Sequence, residues 1–189
     1  KRIVSFNPQL FCSNVDDTLR PKLQLLQDQG FSESDIIEVV YGNPQLLESG
    51  VESSIVRAVQ LLRKVMGSDT LVMAVLKKHW FYTSLPKYLM GNVALVGSYG
   101  IPIELIRKQI LSSPAEFMRK PEMFSDMVSR VKNKWGICPK SPMFLYGVQL
   151  ACRFSEENIE SKCRMFPSFR WTESDIQTLM MKNPNCFTS

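Results

Sequence analysis

Between Arg57 and Lys140 stand fourteen lysines and arginines against five acidic residues. They include the adjacent pairs Arg63-Lys64, Lys77-Lys78, Arg107-Lys108 and Arg119-Lys120 and a cluster at Arg130, Lys132 and Lys134. Basic side chains at this density suit one chemistry above others, the neutralisation of a polyanion's phosphates. The candidate contacts are Arg57, Lys64, Lys77, Lys78, Lys87, Arg107, Lys108, Arg130, Lys132, Lys134 and Arg164. Successive residues on a helix point in different directions, so at most one member of each adjacent pair is expected to reach a given groove. Trp80, Phe81 and Tyr82 follow Lys77 and Lys78 closely, the basic and aromatic mixture of a base-stacking site. Core packing is the commoner use of such a run at the end of a helix. For each basic residue singly, a solvated outer face is the commoner role.

Reaction chemistry has little to draw on. His79, the single histidine, follows two lysines and precedes Trp80, with no nucleophile or carboxylate that can be placed beside it. The five cysteines, Cys12, Cys138, Cys152, Cys163 and Cys186, are scattered and never form a C-x-x-C pair. They read as small buried hydrophobes in a reducing compartment rather than metal ligands or a disulfide framework. No GxxxxGK[ST] or GxGxxG phosphate cradle occurs. The chain is therefore not expected to be an enzyme, and no cofactor or metal is expected.

Composition is that of ordinary globular material, with 189 residues, 44% hydrophobic and 22% charged. The longest apolar runs, such as Leu71 to Leu76, are far shorter than the roughly 18 residues that span a bilayer. The first residue is Lys1 and no signal-peptide succession follows, so a processed form or an excised fragment is expected. Charge is unevenly spread. Positions 1–50 carry four basic and seven acidic side chains, and positions 51–189 carry nineteen and eleven.

The elements that must position these residues repeat. FSESDIIEVVYGNPQ at Phe31 to Gln45 is echoed by WTESDIQTLMMKNPN at Trp171 to Asn185. Sliding the segment along the chain finds copies starting near Phe31, Gly67, Ile101, Ile137 and Trp171, the last truncated, after a partial copy in positions 1–20 whose proline is Pro8. Successive starts are separated by about 35 residues, a period that marks helical-repeat arrays. Ser32 and Thr172 are N-cap candidates, with Asp35 and Asp175 three positions on. Ile36, Val39 and Val40 in the first copy, and Ile176, Leu179 and Met180 in the last, recur at helical spacing and predict a buried stripe. At one fixed offset from each start stand Pro44, Trp80, Pro114, Leu150 and Pro184. Proline there must end the first helix and open a short turn carrying Leu46 and Leu47, or Phe117. A longer second helix then buries Ile55, Val59, Leu62 and Val65, or Phe124, Val128 and Val131. The expected architecture is a single all-α array over positions 1–189, a right-handed-stacked solenoid with two helices and a proline-initiated turn per unit. Trp80 and Leu150 leave the bend of their copies undefined.

The segments LQLLQDQGFSESDIIEVVYGNPQLL and SYGIPIELIRKQILSSPAEF resemble the mitochondrial transcription termination factor (mTERF) family, and NVALVGSYGIP with the ending KNPNCFTS is similar to its plant organellar branch. The resemblance covers essentially the whole chain. It implies a nucleic-acid-binding protein of the chloroplast or mitochondrion, made with a transit peptide. Such a protein acts on double-stranded DNA, with RNA also allowed, in transcription, its termination or RNA processing. Organellar protein partners and a monomeric state are further expectations, and no membrane association is expected. The alternative from another class is a protein-interaction scaffold whose groove accepts a helix or an extended peptide.

Overall fold

The computed structural model describes positions 14–42, 47, 52–78 and 85–188, and their regular structure is helical throughout. Pro8, Cys12, Pro44, Leu46, His79, Trp80, Phe81 and Tyr82 lie outside the described residues. Two compact units divide the chain at Met90 and Gly91, inside one helix.

In the first unit, a π-helical turn at Val15–Leu19 leads into α1 (Arg20–Asp28), followed by α2 (Glu33–Gly42), α3 (Glu52–Met66) and α4 (Asp69–Lys78). Helix α5 (Leu85–Ser98) runs into the second unit. There follow α6 (Ile103–Ser112), a 3-10 turn at Pro114–Met118, and α7 (Pro121–Ser129) with its π-helical extension Arg130–Lys134. Helix α8 (Phe144–Arg153), α9 (Glu156–Cys163), a 3-10 turn at Phe166–Phe169, α10 (Glu173–Lys182) and a last 3-10 turn at Pro184–Thr188 complete it.

Four of the five copies open their first helix just after the expected start, at Glu33, Asp69, Ile103 and Glu173. Local chemistry accounts for this. The Ser32 hydroxyl accepts the Asp35 amide at 3.2 Å while Asp35 accepts the Ser32 amide at 3.2 Å. Thr172 and Asp175 form the same reciprocal pair at 3.2 and 2.9 Å. At the other end, Ser113 and Asn183 adopt matching backbone angles (φ −156°, ψ 80° and φ −152°, ψ 73°), each followed by proline and a 3-10 turn. That is the predicted bend. The chain turns left-handed at or just ahead of each start, at Gly30, Gly67, Gly100, Gly136 and Arg170. Arg170, at φ 65°, is the one described residue other than glycine to do so.

The fourth copy departs from the common register. Its first helix is α8, which starts at Phe144, and Leu150, standing where three other copies have proline, is fully buried inside it. In the common register that helix would begin at Pro139 and place Pro142 at its fourth position, where the missing amide removes a helix hydrogen bond, and the observed helix begins after both. With no proline at Leu150 the helix continues to Arg153. The chain then turns at Phe154 (φ −122°, ψ 138°), and Ser155 caps α9 by accepting the Asn158 amide. The second helix is correspondingly short, which preserves the spacing to Trp171.

Apolar stripes fall where expected in most copies. Ile36, Val39, Val40, Val59, Leu62, Val65, Phe124, Val128 and Val131 are buried, as are Leu47 and Phe117 of the turns. The side chain of Ile55 is outside those described. In α10 only Met180 is fully buried, and Ile176 and Leu179 are half-exposed.

Polar side chains at one register position fasten the turns. The Lys22 ammonium donates to the Leu47 carbonyl at 2.7 Å, the Asn92 amide to the Phe117 carbonyl at 2.9 Å, and the Lys162 ammonium to the Phe187 carbonyl at 2.7 Å. Donor and acceptor both recur in every second copy, with the same sequence separation between them each time. Asn92 also donates to the Arg119 carbonyl at 2.8 Å. Lys22 and Asn92 are almost wholly buried, so these bonds satisfy carbonyls that water does not reach.

Candidate nucleic-acid interface

Three of the adjacent basic pairs, Arg63-Lys64, Arg107-Lys108 and Arg119-Lys120, separate into an inner and an outer member, as the rotation between successive residues of a helix requires. Arg63 donates to the Gln29 carbonyl, pairs with Asp69 at 2.7 Å and lies over the Phe31 ring. Lys77 pairs with Glu38. Arg119 donates to the Cys152 carbonyl at 2.7 Å, and Arg107 is half-buried. Their neighbours Lys64, Lys108 and Lys120 are exposed and form no ion pair among the described residues. The side chain of Lys78 lies outside the described ones. Inner members thus hold helices together, and outer members remain available to a polyanion.

The cluster from Arg130 to Lys134 is divided in the same way. Arg130 is largely buried and pairs with Asp126 at 3.3 Å. Lys134 sits between Glu156 and Glu160, 2.9 Å from the latter, and holds the Glu160 carboxyl below its ordinary range. Its charge is balanced by carboxylates of α9 that a linear reading of the cluster could not place. Lys132 remains exposed, with its ammonium 5.0 Å from the Tyr99 ring centre. Lys87 lies over Tyr88 at 5.3 Å, Arg57 is exposed without an ion pair among the described residues, and Arg164 is exposed with a long contact to Glu160 at 3.9 Å. The structure adds Lys120, Lys140, Arg170 and Lys182 as exposed basic residues outside the candidate set that form no ion pair among the described residues. Lys120, as the second member of a pair, and Lys140, as the end of the basic stretch, carried a signal in the sequence.

The cysteine reading needs correction. Of the described cysteines only Cys152 is buried; Cys138 is exposed on the proline-bounded loop before α8, and Cys163 and Cys186 are partly exposed. Burial pushes the Cys152 thiol up to about 12, which keeps it protonated and unreactive. Beside the bend at Pro114, the buried Glu116 carboxyl accepts the Ser113 hydroxyl at 2.5 Å and lies 3.8 Å from Arg153. Burial nevertheless raises its pKa. No helix among the described residues is long and apolar enough to cross a membrane, and among them no three His, Cys, Asp or Glu side chains converge as metal ligands would.

Helical units of constant period, proline-opened turns and an outer set of unpaired lysines make a coherent set of features. No curated protein gives a significant match to the chain. The mTERF family model matches residues 1–189. On that match the chain belongs to the mTERF family, a helical-repeat family of nucleic-acid-binding organellar factors whose members are not typically enzymes.

Proposed function

We propose that this protein binds double-stranded DNA in an organelle, through phosphate contacts from its outer lysines and arginines, and acts in transcription, its termination or RNA processing. The observation that carries this reading is the inner and outer division of the basic pairs. Lys64, Lys108 and Lys120 face solvent without carboxylate partners among the described residues, while their neighbours are tied into the fold. Arg57, Lys132 and Lys140 extend the unpaired set. The plant organellar branch is supported by NVALVGSYGIP and KNPNCFTS, and stacking of the copies into one solenoid by their constant period.

Affinity for random-sequence duplex DNA, measured across salt concentrations, tests the reading, with single-stranded and structured RNA of matched length in parallel. The double variant Lys108→Glu and Lys120→Glu is expected to lower the slope of log affinity against log salt by about 2, near the ~0.9 expected per phosphate contact. Both side chains are exposed, so the fold is expected to be unaffected. An unchanged slope would remove these residues from the interface, and no binding to any nucleic acid at low salt would favour the scaffold reading.

A further inference from the structure

A small cavity of about 160 Å³ lies between α6 and the start of α8, inside the second unit, and its walls belong to the third and fourth of the five copies. Lys108 and Gln109 of α6 line one side, and Pro142, Met143, Leu145 and Tyr146 line the other. Gln109 is 6% exposed, and its side-chain nitrogen meets no hydrogen-bond acceptor among the described residues. At its register position the other four copies carry Val39, Val75, Leu145 and Leu179. An amide where packing alone calls for an aliphatic residue costs free energy until something accepts its hydrogens. Lys108 beside it is exposed and makes no ion pair among the described residues. The first turn of α8, a helix of ten residues, lines the same cavity. Met143 offers no side-chain cap, the turn holds no acidic residue, and the backbone amides of Leu145 and Tyr146 meet no acceptor among the described residues. Amides of a first turn point back along the helix axis toward the residues that precede it, here Pro142 and Met143. None of the lining residues is acidic.

We infer that this cavity binds a phosphate group. Two kinds of donor meet there for independent reasons, the free amides of a helix N-terminus and the side-chain nitrogen of Gln109, and the Lys108 ammonium supplies charge. A carbonyl oxygen would satisfy one of these donors, whereas a tetrahedral oxyanion presents acceptors in several directions at once. The volume is about five times a water's share of the liquid, which admits that anion with part of whatever carries it. The carrier is either the backbone of a bound nucleic acid, in which case the inference rests on the proposed function, or a small phosphorylated molecule, in which case it does not. Gln109 and the helix amides are neutral, unlike the outer lysines, so they add affinity without releasing further counterions.

Amide NMR of the chain titrated with sodium phosphate, against sodium chloride at equal ionic strength, tests this. The Leu145 and Tyr146 resonances should shift and saturate with phosphate and stay in place with chloride. Gln109→Leu restores an aliphatic residue, as in the other four copies, so it is expected to fold at least as stably, and thermal melting verifies this. It should weaken phosphate binding at least ~10-fold, the order of one hydrogen bond to a charged group. Lys108→Met, at an exposed position, should weaken it as well. Random-sequence duplex DNA identifies the carrier. If the duplex moves the same two resonances, and Gln109→Leu lowers its affinity by one factor at every salt concentration, the cavity holds a backbone phosphate. If the duplex binds and leaves them unmoved while phosphate saturates, the cavity serves a small phosphorylated molecule. A duplex that does not bind at all sinks the proposed function, and the phosphate titration still decides the cavity. Shifts that never saturate, the behaviour of an adventitious ion only, overturn the inference, as does a titration unchanged by Gln109→Leu.

Discussion

The third and fourth copies, both in the second unit, solve the same problem by different means. In the third, Pro114 ends α6 at Ser113 and opens a turn that buries Phe117, and Asn92 fastens that turn through two carbonyls. In the fourth, α8 passes through the equivalent position with Leu150 at its buried centre, and an extended residue and a serine cap make the bend later. A proline places a bend by covalent geometry, whichever neighbours it has. Where proline is missing, the bend is set by where helix becomes possible and where packing ends.

The sharpest way to break the comparison is to restore the missing proline. Leu150→Pro removes a backbone donor in mid-helix and a fully buried side chain, so a loss above ~3 kcal/mol is expected in denaturant unfolding. If the fourth copy really bent at Leu150, the substitution would be nearly neutral. Asn92→Ala comes next. It leaves the Phe117 and Arg119 carbonyls without their donor, for an expected loss of about 2 kcal/mol, and the change should appear in hydrogen exchange of the Pro114 turn while α9 is spared.

The buried acid beside Pro114 links the two copies, because Glu116 faces Arg153 at the end of α8. Its folded pKa is raised, so the folded state holds the proton more tightly than the unfolded chain does. The stability this contributes is fully present below the ordinary glutamate range and is lost as pH rises through the raised value. Melting temperature followed upward from the acid side of that range should therefore fall less for Glu116→Gln than for the wild type. An identical pH profile would mean that the Ser113 and Arg153 contacts fully offset the burial. The smallest effect is expected of Pro114→Ala, below about 1 kcal/mol, because Asn92 still holds the turn; a larger loss would show that proline alone maintains the bend.

Much of this was legible in residue order. Caps such as Thr172 with Asp175, the stripe Ile36–Val39–Val40, and the stop before Pro114 and Pro184 all depend on residues a few positions apart. The phase of the fourth copy was not, although Pro139 and Pro142 held a signal that a rigid period passes over. The fastenings at Lys22, Asn92 and Lys162 also left a trace, three polar residues at one register position in alternate copies. Their meaning depends on carbonyls of the turn that each one meets only after folding.

Residue order by itself determined the helical class, the repeat period, most helix starts and the excess of positive charge, because each follows from local geometry or from counting. Tertiary structure alone decided which charges are spent: Lys134 is balanced by Glu156 and Glu160 from another helix, while Lys108 and Lys120 meet no carboxylate among the described residues. The reason is the range of the interactions. A cap or a proline acts within one turn of chain, whereas an ion pair is made or missed by where packing places helices that are distant in sequence.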